Sequence, residues 1–279
     1  MMAAMHDASR AVLALTNRMG DVGVPPLRSS EVWGLLDHAP DPGALFGLAA
    51  ADLVADVGLD PALAERVVRL LDAGIALAVR LDELHRRGIF TLTPFDPDYP
   101  HQVADRLGHR APVVLFGAGS ASLLARRGVA ALDLAAAAPD QVQAMVDSVL
   151  AGDRHLVVGG DGPADQAALA LVTDAGGTGV VVLADPLDRV LADPQRRRSV
   201  LSGRTCWCTP YPPDAPRTPE GATARRRVIA GLVTTTLVFA HPHDEIGAEL
   251  IDDLAALGAV VIDEPDADVG SLLRPGPGG

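Results

Sequence analysis

The chain contains no lysine: all 23 of its basic residues are arginine. Set against 36 acidic residues they leave a net charge of −13. A field of that sign repels phosphate, which excludes a protein that coats nucleic acid over a broad face but leaves room for a local basic patch. Arginine-only usage beside abundant Ala, Gly and Pro also reads as a coding bias, so a single arginine carries less functional weight than usual. Aromatics are only 3% of the residues, so Ala, Val and Leu must fill the interior. Small aliphatic packing of that kind suits helices laid on a parallel sheet.

Cysteine is almost as scarce. Cys206 and Cys208 sit in "TCWC", two apart on a strand, where they point the same way and make a poor disulfide. No second Cys or Cys/His pair has zinc-site spacing, so both read as small side chains on a buried strand. No apolar window reaches membrane-spanning length, and the N-terminus has no apolar core followed by a cleavage site, so a cytoplasmic protein without a membrane partner is expected. His241, His243 and Asp244 in "AHPHDE" lack a fourth ligand nearby and read as a polar loop, so no metal is assigned. His6, His38, His85, His101, His109 and His155 are scattered and read mostly as surface residues. The serines lack a nucleophile elbow, and no general acid and base are paired. No catalytic residue and no cofactor are therefore assigned.

What is present is order. Residues from about Ala8 to Leu71 read as short helices with Gly/Pro breaks. A cap is expected at Ser29 or Ser30, and Asp60-Pro61 reads as cap and first-turn proline. "LVADVGLDPALAERVVRLL" resembles a helix-hairpin-helix unit turned at Gly58, although a plain helical turn fits as well. "IFTLTPFDPDYP" and "APVVLFGAG" read as two strands joined by a turn-rich loop. From Gly128 onward the apolar runs "GVAALDLA", "RHLVVGG", "GVVVLAD", "TCWCTP", "TTTLVFAHP" and "GAVVIDEP" alternate with helix-length stretches. Alternation of this sort predicts an α/β fold with a mostly parallel, Rossmann-like sheet, any ligand lying at the carboxyl ends of its strands. "VVGGDGPADQAALAL", Val157 to Leu171, has the strand, Gly turn and helix of a phosphate cradle, yet Asp161 stands where a phosphate would approach.

Four blocks, "GIFTLTPFDPDYPHQVADRL", "APVVLFGAGSASLLARRGVA", "LVVGGDGPADQAALALVTDAGGTGVVVLADPLDRV" and "RRRVIAGL", resemble in order and spacing the DprA/Smf DNA-processing family. The resemblance spans roughly Ala8 to Pro265, and its most specific pieces are Asp96 to Pro100 and the run ending at Leu232. It implies a small helical SAM-like domain over residues 1–75 and an extended Rossmann-like domain over 76–272; a disordered tail is expected over 273–279. Many members add a C-terminal winged helix, which is not expected here. The family implies binding of single-stranded DNA, delivery of that DNA to a recombinase or other DNA-processing partner in transformation and recombination, and a homodimer.

The departures fall on the functional positions. Asp133-Leu134-Ala135 stands where the family has Gly-Ser-Arg. Gly159-Gly160-Asp161-Gly162-Pro163-Ala164-Asp165 stands for approximately Gly-Gly-Ala-Arg-Gly-Ile-Asp. Of the family's Arg-Asn-Arg, Arg225 and Arg227 remain and Arg226 replaces the Asn. The late Ser-Gly-Ser turn has become "HDEIGAE", and no basic residue occurs from Val228 to Leu273. A phosphate cradle needs free N–H groups, a helix N-terminus and a nearby cation. Pro163 removes one N–H, and Asp161 is expected to cap the helix and occupy the anion's place. The three arginines are expected at a helix start, where the dipole disfavours cations, and they read either as a contact for phosphate or an acidic partner or as a solvated face. The candidate DNA-binding residues are Arg225, Arg226, Arg227, Gly159, Gly160 and Gly162. The reading is a non-catalytic DprA-like protein with a degenerate phosphate pocket; the alternatives are a nucleotide-derivative-binding Rossmann protein or a protein-interaction scaffold.

Overall fold

A computed structural model describes residues 6–16, 23–72, 74–126, 128–160, 162–212, 215, 220–239, 248–264 and 267–273. The chain divides into two compact units, Met1–Phe116 and Gly117–Gly279.

The first unit opens with helices Asp7–Thr16, Ser29–His38, Pro61–Leu71 and Gly74–Arg86. Leu15, Leu35, Leu53, Val67 and Leu70 are almost wholly buried and form its core. The Asp60 carboxylate accepts from the amides of Ala62 and Leu63, and Pro61 follows it, the expected cap. Gly58 ends the preceding helical turn with φ 76, a left-handed angle that glycine adopts without a Cβ clash. The cap of the Ser29–His38 helix is not a serine. Arg28 holds that position, its N–H donating to Glu31 at 2.7 Å. Arg66 grips the same carboxylate at 2.7 Å and also donates to the carbonyls of Pro25 and Pro26. Ser29 Oγ instead accepts from Val113 N–H.

Strand β1 (Phe90–Leu92) leads into the "DPDYP" element, which folds as a polar clasp. Asp96 accepts from the Thr93 amide and hydroxyl, both at 2.7 Å, and from Ser9 Oγ at 3.2 Å. Tyr99 is 1% exposed and donates its hydroxyl to Pro112 O at 2.7 Å. The connection to strand β2 (Leu115–Gly119), expected as a turn-rich loop, contains the helix His101–Leu107. Its onset follows directly on Pro100, and Val103 and Leu107 bury one face.

The second unit carries strands β3 (Gly128–Leu132), β4 (His155–Gly159), β5 (Thr178–Val182), β6 (Thr205–Thr209), β7 (Thr235–Phe239) and β8 (Ala259–Ile262). These are the six apolar runs read from the sequence. The order is β2-β6-β5-β4-β3-β7-β8. The ladders from β6 to β8 are all parallel. Helices Pro139–Ala151, Pro163–Asp174, Pro194–Leu201, Glu220–Leu232 and Ala248–Ala256 alternate with the strands. Proline opens the first three, because a first-turn residue needs no amide proton.

Every residue of β3, β4 and β6 is buried, as expected of a parallel sheet covered on both faces. Cys206 and Cys208 lie buried on β6 with Trp207 between them, and burial pushes the Cys208 thiol up to about 12. His155 departs from its surface reading: it is 1% exposed at the start of β4, its ring lying where a Cβ on Gly128 would stand. No helix among the described residues is long and apolar enough to cross a membrane.

The chain works outward from β3 through β4, β5 and β6, then returns to the other side of β3 for β7 and β8. At such a reversal the connections that leave the adjacent strands β3 and β7 run in opposite directions and open a crevice at their carboxyl ends.

Replacing Tyr99 by Phe leaves the buried Pro112 carbonyl without its donor, so the Y99F variant should lose about 1–3 kcal/mol of stability in urea unfolding.

Candidate functional site

A cleft of about 200 Å³ opens where the crevice is expected, lined by Ala131 to Ala135, Gly159, Gly162, Ala164, Asp165, Arg225 and Arg226. The turn after β3 supplies Asp133, the end of β4 supplies Gly159, and the Pro163–Asp174 helix presents its N-terminus. The Glu220–Leu232 helix supplies the two arginines from its interior. Arg225 to Arg227 were expected at a helix start; the helix begins earlier, at Glu220, so dipole repulsion does not bear on them.

Gly159 is the close approach. A Cβ placed on it would stand 3.0 Å from Asp165 Oδ2 and 3.3 Å from Arg225 Cζ. A carboxylate and a guanidinium from two helices therefore converge on one Cα. Gly160 serves another purpose: a Cβ there would lie 2.6 Å from Leu183 Cδ2 and 2.8 Å from Val181 Cγ1. It is required by packing, and it does not line the cleft. Gly162 is the N-cap of the Pro163–Asp174 helix in extended conformation (φ −96, ψ 151) and does line it.

The three arginines part company. Arg225 is half-buried in the cleft, its pKa lowered by desolvation first and by the neighbouring Arg226 charge second. Arg226 donates to Asp133 Oδ1 at 2.6 Å. Arg227 donates through two nitrogens to Asp253 Oδ2, at 2.9 and 2.6 Å, and thus ties its helix to Ala248–Ala256. Asp133 itself has φ 57, a left-handed angle that Asp tolerates better than most residues.

Sequence reasoning did not select Asp165 as a site residue. It is the third residue of its helix and accepts from the N-cap Gly162 N–H, the reverse half of a capping box. That acid three residues after a Gly cap was the signal available. Burial pushes its pKa up to about 6, the Asp133 charge adds to the rise, and the Gly162 bond opposes it. Asp161, expected in this capping role, lies outside the described residues, as do His241, His243 and Asp244. No His/Cys/Asp/Glu cluster suited to a metal occurs among the described residues. On the Pro194–Leu201 helix, Arg196 lies 5.8 Å over the Trp207 ring, while Arg197 and Arg198 are exposed.

Among its described residues the cleft thus sets two guanidinium groups against two carboxyl groups. A single anionic group fits its volume; a whole nucleotide ordinarily needs a pocket of about 300 Å³ or more.

Asp165 has a stability consequence. Its folded pKa, about 6, exceeds the 3.8 of an ordinary aspartate. The folded state therefore binds the extra proton, and the stability this gives is complete below 3.8 and lost as pH rises through about 6. Asp165→Asn keeps the shape without the charge. The D165N variant should match the parent near pH 4 and exceed it by about 1–3 kcal/mol at pH 8, read from chemical denaturation at both pH values.

The family model described as DNA recombination-mediator protein A matches residues 90–248, more than half of the chain. No curated protein matches the chain. Among solved structures it is similar to DNA processing protein A (DprA) from Streptococcus pneumoniae, with TM-score 0.61, 21% identity, and coverage of 96% of this chain and 98% of that one. DNA processing protein A from Helicobacter pylori, described for its unique single-stranded DNA binding mode, follows with TM-score 0.46 and 16% identity over 66% of this chain and 86% of that one.

Proposed function

Because the chain belongs to the DNA recombination-mediator protein A family, we propose that it is a non-catalytic, single-stranded-DNA-binding member of it with a weakened phosphate pocket. In this reading a backbone phosphate rests over Gly159 and accepts from Arg225, while Asp133 and Asp165 oppose it. The observation that carries the proposal is the approach of Arg225 to the Gly159 Cα at the sheet's reversal point. A small cleft with a half-buried guanidinium and a glycine floor suits one phosphate group.

The weakening follows from charge. Arg226 is already neutralised by Asp133, and Arg225 shares the cleft with Asp165, so the incoming phosphate meets both. At a partly screened contact, a carboxylate beside a phosphate costs on the order of a few kcal/mol. The lining's described residues are Ala, Leu, Gly, Asp and Arg. Partners in this reading are single-stranded DNA, a recombinase or other DNA-processing protein, and a second copy of the chain.

Fluorescence anisotropy with a labelled oligothymidylate, at low and physiological salt, tests it. Arg225→Ala should weaken binding by about tenfold or more and flatten the salt slope by about 0.7, the share of one phosphate contact. Arg227→Ala, whose guanidinium is held by Asp253, should leave cleft binding near the parental value. Parental affinity in the R225A variant would contradict the assignment.

A further inference from the structure

The reading of the cleft as a phosphate site has a consequence for protons. An anion that accepts from Arg225 in this cleft meets Asp165 as well, since both side chains line it. The two close on one point, Asp165 Oδ2 lying 3.0 Å and Arg225 Cζ 3.3 Å from where a Cβ on Gly159 would stand. A phosphate oxygen that accepts from Arg225 is then in contact with a carboxyl oxygen. Two oxygens at such a distance repel if both are charged and form a hydrogen bond if the carboxyl holds a proton.

Among the described residues, the charged side chains lining the cleft are Asp133, Asp165, Arg225 and Arg226. Arg226 is committed to Asp133 at 2.6 Å. The elements packed most closely against the Asp165 helix are β4, β5, the Pro139–Ala151 helix and the Leu134–Ala136 turn. Among their described residues, no further charged side chain lines the cleft. Asp133, just before that turn, adds a like charge and favours the proton on Asp165.

Resting on the proposed DNA reading of this cleft, we propose that Asp165 is its proton-uptake residue: a phosphodiester docks over Gly159 as the Asp165 carboxyl takes on a proton and donates it to a phosphate oxygen. Binding is then coupled to pH, and Asp165 selects for monoanionic phosphodiesters over dianionic terminal phosphates. The unliganded side chain already titrates near 6, so little work is needed to load the proton.

The test is the pH dependence of oligothymidylate binding between pH 5 and pH 8, since a phosphodiester keeps the same charge across that range. The parent should bind more weakly by up to about tenfold per pH unit above 6 and level off below it. The D165N variant keeps the capping shape and all eight histidines. It should lose that slope and bind at pH 8 as tightly as the parent does at pH 5. A D165N profile parallel to the parent's would overturn the proton coupling. Arg225→Ala, run beside it, separates the two claims. If R225A abolishes binding while D165N keeps the parental slope, the site stands and the coupling falls. If R225A binds as the parent does at every pH, or if no oligothymidylate binds at any pH, the cleft reading falls and the coupling with it.

Discussion

Over Gly159 a carboxylate and a guanidinium from two different helices close in on the place that a Cβ would fill. That convergence depends on the absence of one Cβ and on the reversal of strand order at β3. The reversal fixes where the crevice opens. The bare Cα lets Asp165 and Arg225 reach it together. The remaining features of the cleft adjust the charge balance around that point: Asp133 neutralises Arg226, and Gly162 steadies Asp165 through its amide.

The scaffold that holds this point is rigid for ordinary reasons. Central parallel strands buried on both faces leave little freedom to relax, and Gly160 fits beneath Leu183 and Val181 with no space for a methyl group. The "DPDYP" element, among the most family-specific pieces of the sequence, proves to be architecture. Its aspartate ties the strand end to Ser9, and its tyrosine anchors the Pro112 carbonyl. Family resemblance in this chain is carried partly by such clasps.

The strands were legible because continuous aliphatic runs bounded by Gly and Asp have few alternatives in an alternating chain. All six runs after Gly128 became parallel strands. The helix holding Arg225 was placed too late, since Glu220 to Ala224 shows no apolar periodicity to announce its start. Asp253 is 26 residues beyond Arg227 on another helix, and no local pattern pairs them. His155 read as surface because it precedes an apolar run; burial came from the space left by Gly128. Asp165 was visible as a capping acid but not as a site residue, because its raised pKa arises from burial and from Asp133, neither of which sequence spacing reveals.

The anion site proposed for this unit is the compensated cleft over Gly159, not the exposed arginines elsewhere on the unit. A crystal structure of the protein with a short oligothymidylate at acidic pH is the decisive measurement. A phosphate is expected over Gly159, accepting from Arg225 and within hydrogen-bond distance of Asp165. Phosphates held by Arg197 and Arg198 on the Pro194–Leu201 helix, with none in the cleft, would contradict it.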